Sequence, residues 1–214
     1  MNNMNEIEVW GFKGAIRGMR NPMDSWELSD SNLNNGVIDI GPNDLKLINK
    51  LIKSGPEHRK FLRMIHVQFD LNAPRYFWSE FDTYHFNTKN SCSTMHKLLS
   101  NKPITLDMFS YNEEDATILS FTVDRIENIR KEYIKKDCPN KNELLRRAKK
   151  LLPESFLQKR TVDTNYEELM TMYYQRKNHR LEEWQQFCKT LENLPYFKMF
   201  CNMKEGKYDD KDLT

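Results

Sequence analysis

Two short segments hold many of the side chains that could do chemistry. Residues 81–97, FDTYHFNTKNSCSTMHK, place hydroxyls, amides, two imidazoles and a thiol side by side. Residues 173–184, YYQRKNHRLEEW, add two guanidinium groups, an imidazole and two carboxylates. Phosphates need charge-assisted donors, and the edge of a heterocyclic ring needs both donors and acceptors. The two segments therefore suit a ligand with phosphates and a ring, and backbone amides at a helix start near Ser93 would add an anion site.

Simpler interpretations of the same residues stay open. On composition alone, a polar segment such as 81–97 is more often a surface connection than a binding site. His66 lies in a strand pattern, where a packed histidine is more common than a ligand. The five histidines form no HExxH motif, which argues against a metal site, and the chain has neither a GxGxxG motif nor a P-loop. The SCS cluster at 91–93 lacks the local signature of a catalytic nucleophile.

Composition and charge narrow the class of protein. The chain has 214 residues, of which 38% are hydrophobic, and this is enough for a sizeable core. Its 33 basic and 31 acidic residues nearly balance, which argues against a general nucleic-acid coat or a membrane-surface protein. Residues 131–160 are the exception, with ten basic and four acidic residues. That basic segment is most simply a solvated face, and the alternatives are a phosphate-facing wall or a nucleic-acid contact.

The cysteines and the ends of the chain indicate a compartment by default. No apolar run is long enough for a transmembrane helix, and the N-terminus has no signal-peptide pattern. The four cysteines are scattered, without a CxxC pair. We therefore expect free thiols in a reducing cytoplasm.

The elements that must position the polar segments alternate between strands and helices in the first half. Residues 63–71 place Ile65, Val67, Phe69 and Leu71 on one face, which predicts a half-buried strand. The predicted elements, in order, are a strand at 5–12, a long loop or pair of turns at 17–36, a helix at 41–55, a strand at 63–71 and a helix at 73–84.

The second half has mostly helical patterns. Ser93 is expected near the N-cap of a short helix at 93–100, and a later helix is expected to start at Asp163 or Thr164. The other predicted helices lie around 126–134, at 141–152 and at 180–194. No repeat or low-complexity linker divides the chain, so we predict a single α+β domain over residues 1–203, with a polar C-terminal tail at 204–214.

Two collinear elements resemble a known family. Residues 61–98 are similar to the central segment of flavin-dependent thymidylate synthases, the ThyX family, where a strand, a turn and a helix lead into the signature RHRxxSxNExSxR. Here the signature would run from Thr83 to Met95. AKKLLP at 148–153 resembles the family's ARxxLP element, and the Arg, His and Glu that follow it correspond to Arg176, His179 and Glu183. The resemblance covers about residues 45 to 195.

The resemblance implies a fold and an activity. The fold would be the ThyX-like α+β fold, an antiparallel sheet with a largely helical second half, assembled as a homotetramer with FAD and dUMP at subunit junctions. The activity would be the FAD-dependent methylation of dUMP in nucleotide biosynthesis. Methylenetetrahydrofolate would be the carbon donor, and NADPH would reduce the flavin.

The resemblance also implies roles for particular residues. The implied catalytic residue, beside the pyrimidine ring, is Ser93. The implied FAD contacts are Tyr84, His85, Asn90 and His179. The implied substrate contacts are Glu80, Ser91, Lys149 and Arg176. No metal ligand is implied.

The signature is degenerate in this chain. Its first three residues, RHR in the family, are Thr83, Tyr84 and His85, its Glu is Ser91, and its last Arg is Met95. Each lost anion contact is worth about 1.5–3 kcal/mol, because arginine offers a five-donor fork and methionine offers no donor. The basic residues nearby that could compensate are Arg75, Lys89, Lys97 and Arg180.

Three functional hypotheses follow. The first is a diverged flavin-dependent enzyme that acts on dUMP or a related pyrimidine nucleotide. The second is a homologue without catalytic activity that binds a nucleotide or a partner protein. The third, with the least support, is nucleic-acid binding through the basic segment 131–160.

Overall fold

The computed structural model describes residues 3–34, 37–209 and 211. The strands are β1 (Asn3–Trp10), β2 (Asn32–Asn34), β3 (Val37–Asp39), β4 (His66–Pro74), β5 (Thr88–Ser91) and β6 (Leu157–Asn165). The helices are α1 (Phe12–Arg20), α2 (Pro42–Ser54), α3 (Arg75–Phe81), α4 (Thr94–Lys97), α5 (Ala116–Tyr133), α6 (Lys141–Leu151), α7 (Tyr166–Arg176), α8 (Glu182–Leu191) and α9 (Phe197–Lys204).

The strands form an antiparallel sheet with the order β1-β4-β6-β5. β2 and β3 pair separately as an antiparallel hairpin, in which Leu33 lies opposite Ile38. Helices outnumber strands after residue 100, so the predicted α+β class with a largely helical second half is confirmed.

The chain divides into two compact units. The first unit includes Leu71–Thr83 and Lys89–Thr161, and the second includes Met4–Asp70, Tyr84–Thr88 and the chain from Val162 onward. The single domain expected over residues 1–203 stays a prediction. α9 ends at Lys204, where the polar tail was predicted to begin, and residues 210 and 212–214 of that tail lie outside the described residues.

The core of the first unit lies between α5 and α6. Val123, Ile126 and Ile129 recur at helical spacing on α5 and are buried against Leu144 and Ala148 of α6. The segment after α4 closes this core with further buried side chains, which are Leu98, Leu99, Ile104 and Phe109.

An ion pair on α5 holds the segment after α4 in place. Arg130 donates from Nε to Oε2 of Glu127 at 2.7 Å and from Nη1 to the Ser100 carbonyl at 3.1 Å. Glu127 Oε2 also accepts the Ile104 N–H at 2.9 Å. The hydrogen bond from Arg130, together with the one from Ile104, outweighs the effect of burial and lowers the pKa of Glu127 from 4.5 to about 2.

Replacing Glu127 by Gln should lower the free energy of unfolding by about 2–3 kcal/mol at pH 7, because it leaves the buried Arg130 without its counter-charge. Since the pKa of Glu127 is lowered on folding, its contribution is full above about pH 4.5 and is lost as the pH falls toward about 2. Denaturant titrations between pH 2 and 7 should therefore show a smaller acid-dependent loss in the variant. The exposed Asp124 on the same helix is the control, and a D124N effect as large as that of E127Q would contradict the account.

The strand pattern of β4 is confirmed in the second unit. Ile65, Val67 and Phe69 are buried, whereas the intervening His66 and Gln68 are half-exposed. The ring of Trp10 stacks on His66, with centroids 5.5 Å apart. The predicted helix at 41–55 is α2, which begins at Pro42 and ends before Gly55.

The first 36 residues differ most from expectation. The predicted strand at 5–12 ends at Trp10, because Gly11 turns the chain with a φ of 97° and α1 begins at Phe12. A Cβ at Gly11 would collide with the carbonyl oxygen of Met64, so only glycine fits there. The long loop or pair of turns predicted at 17–36 is confirmed in part, because the described part contains two 3-10 turns. It also contains the end of α1 and β2, which were not predicted, and residues 35 and 36 lie outside the described residues.

Two strands lie where loops or helix caps were expected. β5 lies inside the polar segment 81–97, and β6 carries Asp163 and Thr164 as strand residues. The cap of α7 is Asn165 instead, whose side chain accepts the Glu168 N–H at 3.1 Å. Seven of the nine residues of β6 are polar, so its sequence lacks the alternation that identifies a strand.

Candidate functional site

A cavity of about 470 Å³ in the first unit has Ser93 in its wall. Two hydrogen bonds to β6 fix this wall. The Cys92 N–H donates to the Lys159 carbonyl at 2.9 Å, and the Gln158 side chain donates from Nε2 to the Cys92 carbonyl at 3.0 Å. Ser93 then caps the short helix α4, as predicted, although its side chain makes no capping hydrogen bond.

The cavity lining combines cations, neutral polar groups and apolar surface. The cations are Lys97, Lys102 and Lys159, and Asp107 is the carboxylate that opposes them. The neutral polar side chains are Asn72, Ser93, Thr94, Ser100 and Gln158, together with the thiol of Cys92. The apolar walls are Leu98, Ile104, Met108, Phe156 and Leu157. Apolar walls with a few placed polar groups are typical of small-molecule sites, and the excess of lysine favours an anionic ligand with a ring.

Met95 of the degenerate signature and Lys149 of the AKKLLP element contact each other in the first unit. Lys149 Nζ lies 3.1 Å from Sδ of Met95, which is half-exposed. A thioether sulfur is a weak hydrogen-bond acceptor. The group that faces it is an ammonium, which cannot form the bidentate hydrogen bonds that the planar guanidinium of arginine makes with an anion. By the sequence resemblance, Met95 corresponds to the last arginine of the signature and Lys149 to the arginine of the ARxxLP element, so neither expected guanidinium is present at this contact.

Arg176 is the centre of a cluster in the second unit. Its Nε donates to the Tyr84 hydroxyl at 3.0 Å, and that hydroxyl donates to Oε1 of Gln175 at 2.7 Å. Its guanidinium carbon lies 4.7 Å from the ring centre of Trp184 and 5.7 Å from that of Tyr84. Stacking on two rings and hydrogen bonding to Tyr84 fix the orientation of the guanidinium.

His179 contacts the same guanidinium. Its Nε2 lies 3.0 Å from Arg176 Nη1, and its Nδ1 lies 3.2 Å from the Leu181 N–H. Both ring nitrogens thus face donors, whereas a neutral imidazole has one acceptor nitrogen and a protonated one has none. These contacts on both ring nitrogens fix the orientation of the His179 ring beside Arg176.

A smaller cavity of about 300 Å³ in the second unit has imidazoles in its walls. His66, His85 and Asp163 line it, with Nδ1 of His66 3.5 Å from Oδ1 of Asp163. That oxygen is buried and has no hydrogen-bond partner among the described residues, while Oδ2 accepts from Gln68 at 3.3 Å.

The predicted site residues fall into separate groups. In the second unit, Arg176 contacts both Tyr84 and His179, and the exposed His85 lines the smaller cavity. In the first unit, Ser93 lines the large cavity, and Lys149 contacts Met95. The remaining predicted residues of the first unit are Asn90 and Ser91, both exposed on β5, and the half-buried Glu80 of α3. Their catalytic and binding roles stay predictions.

The basic residues expected to compensate for lost arginines have different partners. Lys97 lines the large cavity. Arg75 pairs with Glu154 at 3.2 Å, and Lys89 pairs with Asp82 at 3.3 Å, so these two cations are held by carboxylates.

Sequence patterns alone did not reveal several residues of these sites. Asn72 and Gln158 lie on sheet strands and entered no motif, whereas Lys159 belongs to the basic segment 131–160, for which a phosphate-facing wall was an alternative. Glu168 is buried and contacts the segment Tyr84–Thr88, and its spacing three residues after the Asn165 cap is the capping pattern that could have revealed it.

Metal-binding and membrane-spanning features are absent from the described part of the chain. The described residues contain no group of three His, Cys, Asp or Glu side chains that could hold a metal ion. No helix in the described ranges has the length and apolar character needed to cross a bilayer. All four cysteines are free thiols, as expected.

Comparison with known proteins identifies the fold. No protein-family model and no curated protein matches the sequence. A crystal structure of flavin-dependent thymidylate synthase ThyX from Helicobacter pylori, complexed with FAD and dUMP, matches with a TM-score of 0.67 and 19% identity over 96% of this chain and 100% of its own. A second ThyX structure from that organism, with FAD and dUMP, matches with a TM-score of 0.68 and 19% identity over 95% of this chain and 100% of its own. The chain therefore has the ThyX fold, as the resemblance in its sequence predicted.

Proposed function

We propose that this chain is a diverged flavin-dependent enzyme that methylates dUMP or a related pyrimidine nucleotide. The observation that carries the proposal is the large cavity of the first unit, where Ser93 shares a wall with lysines in a chain of ThyX fold. The Helicobacter pylori proteins of the same fold bind FAD and dUMP, which supports the choice of ligands.

The lining of this cavity fits a pyrimidine nucleotide. Lys97, Lys102 and Lys159 supply ammonium donors for a phosphate. Asn72 and Gln158 each offer both a donor and an acceptor, which matches the alternating edge of a uracil ring. A volume of about 470 Å³ is within the range of small-molecule sites. The proposal places the phosphate on lysines, with Ser93 beside the ring.

The donor set also fits a flavin. Tyr84, His85, Asn90 and His179 offer the neutral donors and acceptors that a flavin ring uses, whereas Arg176, the implied substrate contact, would offer its oriented guanidinium to the nucleotide. When bound, FAD would supply the redox chemistry, with NADPH as its reductant and methylenetetrahydrofolate as the carbon donor. The role of these residues would be to bind and orient the ring.

A homotetramer would complete such a site. His85, Asn90 and Ser91 are exposed in the single chain, and a neighbouring subunit would cover them and exclude water from the ligand.

A second function has its own support. The contact between Lys149 and Met95 replaces two of the family's arginines, which favours a homologue that binds a nucleotide or a partner protein without catalysis. In that case nucleotide binding would survive and methyl transfer would be absent. The nucleotide experiment below tests binding, and a turnover assay with all co-substrates separates the two functions.

Cys92 gives a direct test of nucleotide binding. Its exposed thiol lines the large cavity, so we expect dUMP at about ten times its dissociation constant to slow iodoacetamide labelling of Cys92 about tenfold. Cys138, which lines another cavity, is the internal control. Burial raises the pKa of both Cys188 and Cys201 to about 12, so neither should react. Peptide mass spectrometry measures all four sites, and Cys92 labelling that no pyrimidine nucleotide slows would overturn the placement of the nucleotide.

A further inference from the structure

Both ends of helix α7 contact the segment Tyr84–Thr88 and hold it in place. This segment contains His85 and Phe86, both exposed, and it lines the smaller cavity. The C-terminal end of α7 contacts the first residue of the segment, because the Tyr84 hydroxyl bonds to the side chains of Gln175 and Arg176. The N-terminal end of α7 contacts the middle of the segment, at Phe86 and Asn87.

The N-terminal contact is a buried carboxylate. Glu168 has 5% of its surface exposed, and its Oε1 accepts the Phe86 N–H at 2.6 Å. Its Oε2 accepts from Asn87 Nδ2 at 2.9 Å and from the Thr164 hydroxyl at 2.8 Å. Three donors around two oxygens satisfy the buried charge, and two of the three come from the segment that carries His85.

Two further hydrogen bonds hold the segment Tyr84–Thr88. Asn87 Nδ2 also donates to the Tyr84 carbonyl at 3.0 Å, which folds the segment back on itself. Asn165, the cap of α7, donates from Nδ2 to the Phe86 carbonyl at 3.4 Å. Glu168 thus fixes the backbone amide of Phe86 and the side chain of Asn87, at the position where the segment presents Phe86 next to His85.

We propose that Glu168 is a positioning residue that holds the segment Tyr84–Thr88 in its ligand-binding conformation, so that His85 and Phe86 are presented to the ligand. This inference rests on the proposed function, because the ligand in question is the flavin. It assigns to Glu168 an effect on binding that acts through the segment and involves no contact with the ligand.

The Glu168→Gln variant removes the charge and little volume. The glutamine side chain keeps one acceptor oxygen, which can replace only one of the two carboxylate oxygens. Its NH2 group takes the place of the other oxygen and then faces a donor such as Asn87 Nδ2. At least one hydrogen bond of the segment is therefore lost.

Glu167→Gln is a matched control. Glu167 lies in the same helical turn, is largely buried and accepts from Arg59 Nε at 2.8 Å and 3.0 Å. Its carboxylate is thus held by Arg59, outside the segment Tyr84–Thr88. Both variants lose a paired carboxylate at the start of α7, so a general loss of stability should affect both.

The experiment measures local opening and flavin affinity in the full chain. Amide hydrogen exchange at Phe86 should become about tenfold faster in Glu168→Gln and stay near the wild-type rate in Glu167→Gln. The dissociation constant for FAD should rise about tenfold in Glu168→Gln and change less than about threefold in Glu167→Gln. A combined Glu168→Gln and Asn87→Ala variant should be less than additive, because the two side chains share a hydrogen bond.

Three results would overturn the inference, and they are distinguishable. Unchanged exchange at Phe86 in Glu168→Gln would show that Glu168 does not hold the segment. Faster exchange with FAD affinity equal to that of Glu167→Gln would show that the conformation of the segment does not matter for binding, while the proposed function would stand. A wild-type chain that binds no FAD would overturn the proposed function itself, and with it the role assigned to Glu168.

Discussion

Replacing Asp44 by Asn should lower the free energy of unfolding by about 3–5 kcal/mol, the largest stability effect that we expect from one substitution. Asp44 is fully buried, and its Oδ1 accepts from Arg20 Nε at 2.6 Å. Its Oδ2 accepts from the hydroxyls of Ser29 and Ser31 at 2.8 Å and 2.6 Å. Asparagine would keep one acceptor and place an NH2 group against donors, leaving the buried Arg20 without a counter-charge.

The same pair gives a pH dependence with a definite sign. Burial pushes the pKa of Asp44 upward, but the hydrogen bonds from Ser31, Ser29 and Arg20 outweigh it and the pKa is lowered overall. The stability from Asp44 is therefore full above about pH 4 and decreases as the pH falls toward its lowered folded pKa. Urea titrations at pH 7 and pH 3 measure both effects. The control is Asp39→Asn, an exposed site, and a D44N protein within about 1 kcal/mol of wild type would contradict the account.

Replacing Arg176 by Ala should weaken dUMP binding about 10–100-fold, the largest functional effect that we expect. The guanidinium has a fixed orientation, since it stacks on Trp184 and donates to Tyr84, and a prearranged donor loses little entropy on binding. Lysine at this position should recover only part of the affinity, because it keeps the charge and loses the planar fork.

Lys177 is the matched control for Arg176. It is the next residue, carries the same charge and pairs with Glu205 at 2.6 Å. Isothermal titration with dUMP should show that Lys177→Ala changes affinity less than about threefold. Equal losses in R176A and K177A would mean that net charge alone attracts the nucleotide, and would remove Arg176 from the binding site.

Local patterns predicted the elements whose residues alternate or recur cleanly. β4 could be predicted because Ile65, Val67 and Phe69 face one way, and α2 because Pro42 and Gly55 mark its ends. β6 could not be predicted from period alone, because a strand with polar residues on both faces has no hydrophobic repeat. The turn at Gly11 depends on the carbonyl of Met64, a neighbour far along the chain.

The residues of the candidate site were likewise predicted only in part from the sequence. The sequence resemblance singled out Tyr84, Arg176 and His179, and Arg176 does contact both of the other two. The contact between Lys149 and Met95 joins residues 54 positions apart, so only the folded chain reveals it. Glu168 was missed because the cap of its helix was predicted at Asp163 or Thr164, so its spacing three residues after the observed cap, Asn165, was not recognised.

The central claim is that a flavin binds this chain beside a pyrimidine nucleotide. The most direct measurement is the visible absorption spectrum of the purified protein, loaded with FAD and freed of unbound FAD, before and after addition of dUMP. We predict that the flavin bands stay with the protein and that dUMP changes their shape, because the nucleotide alters the surroundings of the ring. A colourless protein, at any FAD concentration used for loading, would contradict the claim and leave the chain as a ThyX fold without flavin chemistry.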